Sequence, residues 1–318
     1  MTVLMRLLLS CTTFAFILVG CQRYPTEIEP RIYYTPQAVE VRALPSPFPS
    51  LSVDERNSEW GRELLIARSF TSELDLYRAI TGFKRTLVLL PPALSQRRMQ
   101  VQYSIVLAYY LGRKYHDVVS EVQGSLLLDA NTGFPAFDQL LIILEDSYRY
   151  IGECDKADRL LEIIESGDPD TANDLRLGDA IHAAAFDCID LYKDEACSAD
   201  IVDEMLYCYC SQKKSVETAQ LLSLFPGAGY LYVGQSKAAV TSFLINTLFI
   251  VAAIRFFDQG NPAAGIIAAG FEAGWYFGGI NGASGAAREY NERIYECHAK
   301  DAMVQGQLFP VLMFTTGF

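Results

Sequence analysis

The chain has 318 residues, 51% of them apolar, and a net charge of −12. Its length allows two domains, or one repeat array with a membrane element. The acid is one block: residues 129 to 204 carry 20 Asp and Glu against 5 Lys and Arg, a sign that argues against a nucleic acid partner.

At the start, one early arginine, Arg6, precedes an apolar run from Leu7 to Val19 that is too short to span a bilayer. The run closes on Leu18-Val19-Gly20-Cys21. This pattern resembles the lipobox of bacterial lipoproteins. The resemblance implies a signal peptide over 1–20, lipid such as palmitate on the sulfur and amine of Cys21, and a periplasm-facing chain anchored in the cell envelope. Gln22 resembles the outer-membrane sorting pattern, whereas a spanning helix would hold the chain in the inner membrane, so the choice of membrane stays open.

Residues 21–50 contain prolines 25, 30, 36, 45, 47 and 49 without a helical apolar period. They read as an extended tether.

From 51 to 212 the chain is expected to be all-α. Leu74, Tyr77, Ile80, Phe83 and Leu87 recur at helical spacing until Pro91-Pro92 stops them, and further helical stretches follow from Val101 to Leu111 and from Tyr115 to Leu128. The clearest internal signature is Leu141, Leu144, Tyr148, Gly152, Ala157, Leu161, Ile164 and Pro169. Its spacing resembles the tetratricopeptide repeat, a helix-turn-helix unit, and implies a stacked helical array whose groove grips a protein partner. An earlier copy, with Tyr109, Tyr115, Val118 and Val122, has Arg113 in place of the glycine and lies 39 residues upstream rather than 34.

Residues 213–300 begin with Pro226-Gly227-Ala228-Gly229-Tyr230-Leu231-Tyr232-Val233-Gly234. The spacing fits neither phosphate-loop pattern. It resembles instead the PGxGxxYxG opening of small bacterial domains built from two transmembrane helices. In that setting Pro226, Gly227, Gly229 and Gly234 form an interfacial turn, with the rings of Tyr230 and Tyr232 in lipid and their hydroxyls in water.

Two apolar stretches follow, Ala238 to Ile254 and Ala263 to Ala283, joined by a turn over Arg255 to Pro262. The second is glycine-rich and contains Glu272, so alone it would insert poorly. Gly270, Gly274, Gly278 and Gly282 recur every fourth residue. Such a ridge lets a helix approach closely, and its expected role is packing within the hairpin, with pairing of two copies or docking of a membrane partner as the alternative. An antiparallel hairpin puts Asn246 at the depth of Glu272, and Asn246 is expected to donate to it. Lys213, Lys214, Lys237, Arg288 and Arg293 flank the hairpin ends while only Arg255 lies near its turn, the reverse of the charge bias expected if those ends face the periplasm. Residues 301–318 form a short tail.

Little in the sequence points to chemistry. The three histidines are not at metal-ligand spacing, and no Cys-x-x-Cys or nucleophile elbow occurs. Glu145, Asp146, Glu153, Asp155 and Asp158 are close carboxylates, expected to be a solvated face of the acidic block. Six cysteines beyond Cys21 permit disulfides, with Cys188 and Cys197 the first pair to test, or free buried thiols. The expectation is a non-catalytic scaffold without metal or cofactor, bound to membrane lipid through Cys21 and the hairpin. A hairpin-driven oligomeric pore or transport accessory, and an enzyme without a recognisable motif, are the alternatives.

Overall fold

The computed structural model describes residues 27–318. The lipobox, Cys21 and the first part of the tether lie outside the described residues. Helix and short turns make up all the regular structure among them.

The chain divides into two units: Ile32–Val202 with Ala299–Phe318, and residues 27–31 with Asp203–His298. The division falls inside two helices rather than at a linker.

The first unit opens with α1 (Ala38–Ala43) and α2 (Val53–Asn57), then continues as helical hairpins in series: α3 (Glu59–Thr71) with α4 (Leu76–Leu89), α5 (Ser95–Leu111) with α6 (Tyr115–Gln123), α7 (Phe137–Tyr150) with α8 (Cys154–Gly167), and α9 (Pro169–His182) with α10 (Phe186–Tyr192). Each helix packs mainly on its neighbours in sequence. Local starts are built in. Ser58 caps α3, Asp75 caps α4, and Asp168 followed by Pro169 opens α9.

One turn geometry closes all four hairpins. Leu74, Arg113, Gly152 and Ala184 have φ of +55, +55, +81 and +52°. The next residue then returns its N–H to a carbonyl five residues back, as Lys114 does to Tyr109 and Glu153 to Tyr148, both at 2.9 Å. Five residues after each left-handed position stands a fully buried side chain, Ala79, Val118, Ala157 or Ile189. The 39-residue interval is therefore used twice, from Leu74 to Arg113 and from Arg113 to Gly152. Of the signature residues, Leu141, Ala157, Leu161 and Ile164 are buried, Leu144 and Tyr148 half-buried, Gly152 forms the turn, and Pro169 starts α9.

Two corrections concern this unit. The tether is not free from Ile32 onward: Ile32 and Val41 are buried, and Leu44 and Phe48 join the core. The six cysteines among the described residues are unpaired, Cys188 and Cys197 included, and both of these are exposed.

The second unit takes most of α11 (Ala199–Gln212), then α12 (Val216–Leu222), α13 (Ala228–Tyr232), α14 (Ser236–Asp258) and most of α15 (Pro262–Gln305). Among the described residues, α14 is the helix long and apolar enough to cross a membrane, with a mean hydropathy of 1.9 and 11% of its apolar window buried. The turn to α15 uses Gly260 at φ +75°, and α15 runs unbroken well past the glycine-rich stretch.

Candidate functional site

The first helices of three successive hairpins, α5, α7 and α9, present a face that the chain covers with its own segment Leu308–Phe318. Gly178 of α9 lies so close to this segment that a Cβ there would stand 2.6 Å from the carbonyl oxygen of Leu308. Phe314 is buried with its ring 5.8 Å from that of Tyr110, and Phe318 stacks on Phe83 at 6.1 Å. Gly317 N donates to Pro45 O at 2.8 Å. Gln139, 6% exposed, reads the backbone between the two rings. In the orientation that satisfies both ends of its amide, the oxygen accepts from Thr315 N at 3.0 Å and Thr316 N at 2.7 Å, and the nitrogen donates to the Tyr103 hydroxyl at 2.9 Å. The groove expected to hold a partner is therefore occupied in cis.

At the other end of this segment, Leu308, Phe309 and Pro310 wall a cavity of about 220 Å³ whose polar lining is Asp146, Arg149, Tyr150, Asp179 and His182. Arg149 is its hub, with nitrogens 2.7 Å from Glu145, 2.7 Å from Asp179 and 3.2 Å from Asp158. Tyr110 donates to Asp146 at 2.6 Å. Burial pushes the Asp146 carboxyl up to about 7; the Tyr110 hydrogen bond and Arg149 oppose this, and Glu145 adds to it. Burial also raises Glu145 and Asp179 against the pull of Arg149, and lowers His182. Tyr115 and Tyr150 stack at 4.3 Å beside the cluster.

The solvated-face expectation thus fails for two of the five carboxylates. Glu145 and Asp146 are 1% and 7% exposed, whereas Glu153, Asp155 and Asp158 do face solvent. The reason is helical phase. Gln139, Ile142, Ile143 and Asp146 share one side of α7, so Asp146 follows the apolar residues into the interior. Arg149, Asp179, His182 and Tyr110 have no sequence signal of their own, because α5, α7 and α9 bring them together from distant positions.

In the second unit the glycine-rich turn is packed against neighbouring helices. Gly227 is left-handed at φ +88°, and a Cβ on Gly229 would overlap Ser223 and the Ala219 carbonyl. The rings of Tyr230 and Tyr232 pack with Val216, Ala219, Val233, Ala286 and Ala287. The Tyr232 hydroxyl accepts from Ser215 N at 3.2 Å. Gly234 ends α13's turn at φ +87°, and Pro226 is half-buried.

The glycine row is also corrected. A Cβ at Gly270, Gly274 or Gly278 would meet nothing within 4 Å, and Gly282 alone is covered, by Tyr230. The side of α15 that packs inward carries Gly265, Ala268, Gly279 and Ala283 instead. Facing them are Phe257, against Gly265, and Ser242, against Gly279. Asn246 is 2% exposed and donates to Ser242 O at 2.6 Å rather than to Glu272.

Fold and site together define, among the described residues, an all-helical chain of serial hairpins with one helix long and apolar enough to cross a membrane. No family model, curated protein or solved structure matches it.

Proposed function

We propose that this chain is a membrane-attached, non-catalytic scaffold of a bacterial cell envelope. Cys21 carries the lipid, the apolar hairpin inserts beside it, and a tetratricopeptide-like array holds a protein partner for envelope assembly, secretion or membrane-protein biogenesis. The observation that carries the reading is the outward apolar surface of α14 and the first half of α15. Leu244, Leu248, Ile254, Ile266, Ile267 and Phe271 are each more than half exposed, and clustered exposed apolar side chains mark membrane or protein contacts. The helical hairpins in series support the second half of the proposal, since such arrays present long surfaces to other proteins.

The test is cross-linking in intact envelopes followed by identification of the adduct, with cross-linker placed in turn on the hairpin array and on α14. Lipid adducts from α14 and a single protein adduct from the array are expected. Protein adducts from α14 alone would sink the reading.

A second reading, a hairpin-driven oligomer acting as a pore or transport accessory, is favoured by the outward row Gly270, Gly274 and Gly278. It requires a detergent-stable oligomer that Gly274→Leu dissolves while the hairpin array stays folded.

A further inference from the structure

The segment that covers α5, α7 and α9 is seated as a peptide ligand would be. Its fixed points are two aromatic rings four residues apart and the backbone between them. Phe314 lies against Tyr110, Phe318 against Phe83, Gln139 accepts from the N–H groups of Thr315 and Thr316, and Gly317 N bonds Pro45. A Cβ on Gly317 would stand 3.1 Å from the Leu44 Cβ, so glycine is favoured before the second ring. Thr315, by contrast, is exposed. We propose that this face is a reading site for an extended partner segment of the form Phe-x-x-Gly-Phe, and that residues 314–318 are its resident stand-in. The proposal rests on the scaffold reading above and names the chemistry of the partner.

Three features make the stand-in exchangeable. Between the two ring seats the floor is polar, and Gln139 and Tyr103 would find water if the segment left, so neither state leaves their polar groups unpaired. The segment holds little structure of its own: one 3-10 turn at Pro310–Leu312, entered through a left-handed turn at Gln307 with φ +55°. Packing beside it is incomplete, with an apolar cavity of about 100 Å³ between Leu44, Leu107, Leu111 and Phe314. Leu308, Phe309 and Phe314 are buried and anchor the segment, but a segment with few internal bonds opens more readily than the helices it covers.

The experiment uses the full chain in detergent and a fluorescent peptide copying residues 308–318. Phe314→Ala with Phe318→Ala should unseat the resident segment. That double variant is expected to bind the peptide about tenfold or more tightly than wild type does, because the wild-type site is occupied most of the time. A peptide carrying Gly317→Val should bind neither protein.

A double variant that keeps its helical spectrum and cooperative melting but ignores the peptide overturns the proposal. Should the double variant not fold, a protease site placed after Gln305 in otherwise wild-type chain gives the second measurement. After cutting, exchange of the retained segment for labelled peptide supports the proposal, and permanent retention overturns it. Concentration-dependent dimers of wild type, lost in the double variant, would make the occupant a second copy and overturn the partner assignment. A partner cross-linked equally to both proteins, with the peptide bound by neither, overturns this inference and leaves the scaffold reading standing. Peptide binding with no partner adduct does the reverse.

Discussion

Asp146 keeps a carboxyl in a place where ionisation is costly, and its titration has a definite sign. Its folded pKa is raised to about 7 from an ordinary 3.8. Between those values the unfolded chain gives up the proton while the native chain keeps it, so the contribution of Asp146 to stability is fully present below about pH 4 and is lost as pH rises through 7. Asp146→Asn removes that titration and can still accept from Tyr110. The variant should match wild type near pH 4 and gain steadily on it up to pH 7, by a few kcal/mol at the plateau, since each tenfold difference in proton affinity between the folded and unfolded chain is worth about 1.4 kcal/mol. Urea midpoints at pH 4, 6 and 8 measure this, and a difference independent of pH would contradict it. The left-handed turn residues make a second test at the same scale. Nothing lies within 4 Å of a Cβ built on Gly152, so Gly152→Ala isolates backbone strain and should cost about 1–2 kcal/mol. Ala184 already bears that strain at φ +52°, and Ala184→Gly should stabilise, by up to about 1 kcal/mol once the entropy of glycine is deducted. Equal effects of both changes would mean that φ is not what these positions select.

At the scale of elements, two kinds of glycine in one unit should respond in opposite ways. Gly274 faces outward on α15, so Gly274→Leu should leave the helical spectrum and melting point unchanged or higher, glycine being about 1 kcal/mol worse than good helix formers. Gly229 is enclosed by Ser223, Ala219 and Ala283. Gly229→Ala must push α13 from its seat, and a loss of cooperative melting is expected from that single methyl. If Gly274→Leu were the damaging change instead, the packing of α14 on α15 would have to be reversed. The same contrast explains what could be read in advance. Helix period, the Pro91-Pro92 stop and the turn at Gly152 are local, so sequence displays them. The equivalent turns at Leu74 and Ala184 were not visible, and the one at Arg113 showed only as a weaker copy with arginine in place of the glycine, because tertiary packing holds ordinary side chains in a conformation that only glycine advertises. The glycine row was legible as a row, but its direction depends on which side of α15 meets α14, and Phe257 and Ser242 decide that. The covering of α5, α7 and α9 by residues 308–318 joins positions far apart in the chain, 176 residues for Gln139 and Thr315, and has no local trace at all.

For the whole molecule, the decisive quantity is how the apolar face of the α14–α15 hairpin is satisfied. Phe243, Leu248, Val251 and Ile254 on α14, with Phe271, Trp275 and Phe277 on α15, are 40–64% exposed. Water against such a surface costs about 25 cal/mol per Å², so lipid or protein must cover it. Lipid cover of the hairpin and the lipid attachment proposed at Cys21 are separable. If the hairpin inserts, Cys21→Ala should remain in the membrane pellet after alkaline carbonate, as wild type does, and density separation should place both in the inner membrane, where spanning helices are retained. If Cys21→Ala is released, the lipid is the sole anchor and the apolar face is covered by protein. The outward glycines at 270, 274 and 278 would then be the closest approach that such a partner helix could make. The flanking charges sharpen the forecast. Lys213, Lys214, Lys237, Arg288 and Arg293 sit at the open end of the hairpin and Arg255 near its turn. Moving positive charge to the turn, as Gln259→Lys does, should therefore strengthen carbonate resistance if the turn faces the cytoplasm, and weaken it if the hairpin enters from the other side.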